Sequence, residues 1–221
     1  MEGPSDLASL ELLLTKVIEG DNQVHFEIVG GDITTDFTVN SSNIKSKIVD
    51  IVKAGGKRKY KPSDYKEVIH LVDMDGAYLD EKNICIDELL NRFSYKDDKI
   101  FANNIEHVLT RNSKKQKILN ILCSTNKAFK SVPYRVFYFS ANLEHVLHNK
   151  IDIEDKEKMK YAEKFEDKYI DDLESFINYF CESTFAVKKN YKDSWKFIKE
   201  NNNSIKRFSN LNIVLDEYKI L

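Results

Sequence analysis

The residues Val68-Ile69-His70-Leu71-Val72 form a short, nearly continuous apolar run that stops at Asp73-Met74-Asp75-Gly76. A run of that length without alternation suits a strand buried on both faces, as in parallel sheets covered by helices. Residues i and i+2 of an extended chain point the same way, so Asp73 and Asp75 project together beyond the strand's carboxyl end. Open α/β sheets place their ligands at that end.

The flanking segments agree with such a sheet. Ser5-Asp6 opens a helix in which Leu7, Leu10, Leu14 and Val17 share one stripe, and Gly20 closes it. Val24-His25-Phe26-Glu27-Ile28-Val29 runs into Gly30-Gly31, the pattern of a strand ending in a turn. A second helix starts after Ser41 or Ser42, turns Ile44, Ile48, Ile51 and Val52 inward and ends at Gly55-Gly56. A long helix is expected over Asn104 to Cys123, and a strand over Tyr134 to Phe139. This alternation predicts an α/β fold, a mostly parallel sheet flanked by helices, over residues 1–148. Beyond it, segments 155–166, 169–182 and 190–200 read as helices with Phe176, Phe180, Trp195, Phe197 and Ile198 inward. Residues 149–221 are therefore expected to form a mostly helical C-terminal cap.

Composition narrows the classes. With 221 residues and 42% apolar content, the chain can bury a core, which excludes disorder throughout. No apolar run approaches the roughly 18–20 residues of a membrane span. The acidic start (Glu2, Asp6) lacks the basic region of a secretory signal. Three cysteines without a Cys-x-x-Cys pair argue against a disulfide framework or a structural zinc. A soluble, cytoplasmic protein without a membrane partner is the expectation. The net charge of −2 gives no global steering toward nucleic acid, so polyanion contacts must be local. The candidates are Lys57-Arg58-Lys59 ahead of the 68–72 strand, and Lys127 and Arg135 around the last strand. Arg111-Asn112-Ser113-Lys114-Lys115 is a similar case, and for each run the plainer reading is a solvated surface.

Three acidic clusters fall at expected strand–helix junctions: Glu2-Gly3-Pro4-Ser5-Asp6, Asp73-Met74-Asp75, and Glu144 in Asn142-Leu143-Glu144. Singly, Glu2, Asp6 and Glu144 read as helix-start acids that complement the dipole. Converged, they repel: two like charges 4 Å apart cost about 4 kcal/mol at an effective dielectric near 20. Such a cluster takes up protons or holds a cation. Oxygen-only ligation points to Mg²⁺ or Mn²⁺, and Mg²⁺ on a few carboxylates shares its shell with water and phosphate. The chemistry implied is phosphoryl transfer or phosphodiester cleavage. His148, one helical turn after Glu144, is either its partner or a surface histidine.

With these motifs in view, residues 1–145 resemble the Toprim domain family. Glu2-Gly3-Pro4-Ser5-Asp6 is similar to its first motif, Ile28-Val29-Gly30-Gly31 to its second turn, and Asp73-Met74-Asp75-Gly76 to its third. The later Asn-Leu-Glu resembles the nuclease branch of overcoming-lysogenisation-defect proteins and small defence-associated relatives. The resemblance implies a Toprim-like, Rossmann-like sheet and a metal-dependent nuclease acting on DNA or RNA, plausible as an effector of phage defence. It implies that Glu2 and Asp6 share one ion while Asp73, Asp75 and Glu144 serve a second, with Glu2, Asp73 and Asp75 carrying the chemistry. Two ions about 4 Å apart would stabilise both attacking and leaving oxygens. The family strand ahead of Glu2 has no counterpart in a chain that starts at Met1: the sheet lacks it, or the sequence starts late or is cut. The alternative is a non-catalytic Toprim-like module whose helical tail docks a partner ATPase or forms a homo-oligomer.

Overall fold

The computed structural model describes residues 1, 3–18, 31–55 and 60–218. Glu2, the strand expected over 24–29 and the Lys57-Arg58-Lys59 run lie outside the described residues. Helix α1 (Pro4–Ile18) buries Leu10, Leu13, Leu14 and Val17, an i, i+3, i+4, i+7 stripe in which Leu13 takes the place expected for Leu7. Helix α2 (Ile44–Gly55) buries Ile44 and Ile48 and half-buries Ile51 and Val52. Strand β1 (Val68–Asp73) follows the apolar run. Three strands that the sequence pattern did not announce come next: β2 (Ile84–Ile86), β3 (Ser94–Lys96) and β4 (Lys99–Ala102). Helix α3 (Ile105–Ser124) starts at an Asn104 cap, and β5 (Tyr134–Phe139) leads into the short α4 (Leu143–His148), capped by Asn142. Helices α5 (Asp155–Tyr169), α6 (Leu173–Glu182), α7 (Tyr191–Lys199) and α8 (Asn212–Tyr218) complete the chain's described part.

β1 and β5 pair in parallel, residue for residue from Val68–Tyr134 to Asp73–Phe139. Their side chains alternate between two helical layers. Leu71, Phe137 and Phe139 pack with α1, α4, α5, α6 and α8 through Leu10, Leu14, Val146, Phe165, Phe176 and Val214. Val72, Val136 and Tyr138 pack on the other face with α2, α3 and α7 through Ile48, Leu119, Trp195 and Ile198. Burial on both faces is what the unalternating 68–72 run requires. Phe176, Phe180, Trp195 and Ile198 are buried, whereas Phe197 is only half-buried.

The second sheet has the order β2-β4-β3, with β2 parallel and β3 antiparallel to β4. The β3–β4 turn is Asp97-Asp98, both at positive φ (51° and 58°), the geometry that matches strand twist in a two-residue hairpin. Asp-Asp is a weaker signal than Asn-Gly, and strands of three or four residues carry almost no periodicity, so this sheet is easy to miss. The fold is thus α/β, with helices flanking a small, mostly parallel sheet. The core that unites Leu10 with Phe165 and Leu211 runs across the expected 148/149 boundary. Among the described residues, no helix is long and apolar enough to cross a membrane.

Candidate functional site

β1 and β5 end side by side, and each chain leaves through a left-handed residue, Asp75 (φ 48°) and Ala141 (φ 52°). Aspartate visits that region readily; alanine does so at a cost of roughly 1–2 kcal/mol and must be held there. The Asp75 N–H donates to the Ala141 carbonyl at 2.7 Å, and the Met74 N–H to the Phe139 carbonyl at 2.9 Å. The loop before α8 closes the clasp. The Ser204 carbonyl accepts from Ala141 N–H (2.9 Å) and Gly76 N–H (3.2 Å), while its hydroxyl accepts from Tyr78 N–H at 3.1 Å. Gly76 has φ 66°, a conformation that favours glycine, and a Cβ there would press on Ile100 Cδ1 at 3.1 Å. Ser140 N–H donates to the Phe208 carbonyl at 2.8 Å.

Beyond this clasp lies a cavity of about 430 Å³ lined by Asp6, Asp32, Asp73, Asp75, Glu144 and Asp152, with Arg92, Arg111 and Lys158 among them. Acids from α1, from the end of β1 and from α4 therefore share one cavity. Asp6 sits in the first turn of α1, where its Oδ2 accepts from Gly3 N–H at 3.0 Å. Glu144 is only 7% exposed; burial raises its carboxyl above the ordinary range and Asp6 adds to the rise, against the pull of Lys158 at 3.8 Å. Burial works against the Lys158 ammonium, but Glu144, Asp155 and Asp73 overcome it and keep it protonated.

Asp75 is held differently. It is ion-paired with Lys115, whose side chain is fully buried and whose Nζ also lies 2.8 Å from Asp32 Oδ2. Burial alone would raise the Asp32 carboxyl. Lys115, with hydrogen bonds from Thr34 and Thr35, outweighs burial and holds it at about 2, below the ordinary 3.8. Thr34 N–H and Thr35 Oγ1 donate to its two oxygens at 2.7 and 2.9 Å. One turn earlier on α3, Arg111 donates to the Asp75 carbonyl and the Tyr95 hydroxyl, both at 2.8 Å. Its guanidinium lies 4.7 Å from the Phe93 ring centroid. Asp32 and Lys158 were not singled out from the sequence, and Arg111 and Lys115 stood there only within a charge run whose plainer reading was a solvated surface. The i, i+4 spacing of Arg111 and Lys115 on one helix face was a usable signal, masked by reading the run as surface charge.

Several expected positions fall elsewhere. Arg135 is the second residue of β5, at the amino end, while the cavity lies past the carboxyl end; its guanidinium is bound by Glu67 (two contacts at 3.0 Å) and Glu217 (2.7 Å). Lys127 bridges to Pro133 at that same end. Neither lines the cavity, so the expectation that they contact a scissile phosphate is corrected. His148 packs on the Tyr161 and Phe165 rings, and Lys158, not His148, faces Glu144.

Among the described residues, no three acid, histidine or cysteine side chains gather closely enough to enclose an ion by themselves. The donor set is nonetheless all-oxygen, and a buried Glu144 whose carboxyl is pushed up beside Asp6 is relieved by added positive charge. Mg²⁺ is commonly held by one or two carboxylates, with water and substrate phosphate filling its shell. Asp6, Asp73 and Glu144 fit that sparse kind of site better than Asp75, which is engaged by Lys115. Compared with protein-family models, with curated proteins and with solved structures, the chain matches none.

Proposed function

We propose that this protein is a Mg²⁺- or Mn²⁺-dependent nuclease of Toprim-like arrangement, hydrolysing phosphodiester bonds in the cavity beyond β1 and β5. The observation that carries the reading is that Asp6, Asp73 and Glu144, from the first turn of α1, the end of β1 and the first turn of α4, line one cavity that also contains Arg111 and Lys158. The order of these elements along the chain, and parallel strands that end together, support it further.

One or two carboxylates among Asp6, Asp73 and Glu144 would hold the divalent ion, with water and the substrate phosphate completing its shell. When bound, it supplies charge stabilisation at the phosphoryl oxygens and acidifies a water nucleophile. The chain's own residues do the rest. Lys158 offers an ammonium beside the acids where negative charge accumulates during phosphoryl transfer. Lys115 fixes Asp75 and Asp32, and Arg111 fixes the backbone at Asp75, so the loop after β1 does not reorganise when a phosphate arrives.

The test is cleavage of DNA and RNA with Mg²⁺ or Mn²⁺ by wild type, Asp73→Asn and Glu144→Gln. Wild type is expected to cleave at least one of them, and each variant to lose about 10²–10³-fold, the usual effect of removing one transition-state charge contact. Cleavage that survives a chelator, or equal rates in wild type and D73N, overturns the proposal.

A further inference from the structure

Part of the cavity wall comes from the small sheet, whose Ile84, Ile100 and Ala102 form a separate core with Val108 of α3 and Ile205. Phe93 and Tyr95 stand two residues apart at the start of β3, a spacing that puts both side chains on one face of extended chain. Both line the cavity, together with Ile151 and Ile153. Arg111 fixes the two rings at once, through its stack on Phe93 and its hydrogen bond to the Tyr95 hydroxyl. At the rim, Arg92 and Asp152 lie 3.3 Å apart, and Ser94 Oγ donates to the other Asp152 oxygen at 2.9 Å. With the Arg92 guanidinium already met by Asp152, the aromatic and aliphatic slot carries little unbalanced positive charge to draw a phosphodiester. It matches the flat face of a nucleobase, with a donor and an acceptor side by side for the base's edge.

We infer that Phe93, Tyr95, Ile151 and Ile153 form a subsite for one unpaired nucleobase of the strand being cut, with Arg92 and Asp152 contacting its edge. This inference rests on the nuclease reading above and names its substrate class: single-stranded nucleic acid, or a nucleotide turned out of a duplex. The cavity, at about 430 Å³, falls in the range of pockets that enclose one small ligand. A base still paired in a duplex cannot present its face to such a pocket. Stacking on an aromatic side chain tolerates any base, because each has a π-face.

The experiment uses the full chain and three forms of one oligonucleotide: single-stranded, fully paired, and single-stranded with an abasic residue in place of each base in turn. Binding is read without turnover, in chelator, from quenching of 2-aminopurine placed along the strand; cleavage is read with Mn²⁺. Wild type should quench one position, and bind and cut the single strand about ten-fold better than either the duplex or the strand abasic at that position. Phe93→Leu, which keeps apolar bulk but removes the ring, should lose the quenching and flatten the intact-to-abasic ratio toward one; Phe93→Trp should restore both. Equal binding of intact and abasic strands by wild type, or an unchanged ratio in F93L, overturns the inference. Loss of cleavage in D73N alongside either result leaves the nuclease reading standing. Cleavage that persists in D73N sinks that reading, while the quenching measurement still decides whether a base is bound.

Discussion

The two ends of the β1–β5 pair use the same side-chain chemistry to opposite effect. At the amino end, Arg135 is forked onto Glu67 and bonded to Glu217, and the Tyr218 hydroxyl donates to Glu67 at 2.6 Å. Burial works against the Arg135 guanidinium, but its carboxylate hydrogen bonds more than restore its charge. At the carboxyl end, burial acts on Glu144 and wins, raising its carboxyl despite Lys158. One end is a clamp in which each charge is met; the other keeps a carboxylate short of compensation next to open volume. Buried carboxylates that remain under-compensated mark candidate sites of chemistry, whereas those that are met serve the fold.

That contrast can be broken from either side. The largest effect is expected at Lys115, the bridge between the clamp-like and open parts of the carboxyl end. Lys115→Met leaves Asp32 and Asp75 facing each other and should cost about 3–5 kcal/mol in urea unfolding; a loss under 1 kcal/mol would mean that the pair is solvated. Arg135→Met should cost about 1.5–3 kcal/mol, as for lost hydrogen bonds to charged groups, yet leave cleavage per folded molecule unchanged. Reduced turnover in R135M would show that the two ends are not independent.

His70, in the middle of β1, sharpens the point with pH. It is buried, its Nδ1 lies 2.7 Å from the Tyr134 hydroxyl, and burial lowers it to about 3 from 6.5. The unfolded chain takes up this proton as pH drops below 6.5, while the folded chain resists until about 3, so stability falls across that window. Between pH 7 and 5 the loss from this residue should be about 2 kcal/mol, read from urea midpoints, and His70→Gln should remove most of it. A pH-independent midpoint would place His70 in contact with solvent. The smallest effect concerns Lys158. Because it lowers the Glu144 carboxyl, Lys158→Met should move the acid limb of the cleavage profile to higher pH with little change in stability. An unmoved limb would assign that limb to another group.

Much of this was readable in the residues, unevenly. The strand 68–73 follows from its unbroken apolar run and the helices packed on it from their apolar periodicity, but the extended-chain argument that paired Asp75 with Asp73 fails, because Asp75 turns left-handed at φ 48° and is held by Lys115. The small sheet escaped because strands of three or four residues have almost no period to detect, and with it went Phe93 and Tyr95 in the cavity wall. Lys115 escaped for a different reason. A lysine in a run of charge reads as solvated, and only tertiary structure brings Asp32, 83 residues away in sequence, to bury it. Arg135 was read near the start of the last strand, where it is, but the cavity lies past the opposite end, out of its reach.

The clasp at Asp75, Ala141 and Ser204 has a consequence for synthesis. Ribosomes deliver the acids of α1 and β1 early, but the turns that follow β1 and β5 are tied down by carbonyls and a hydroxyl between residues 204 and 208. Until that stretch has emerged, the turns after β1 and β5 lack the partners that fix them, so the cavity takes its shape only late in synthesis.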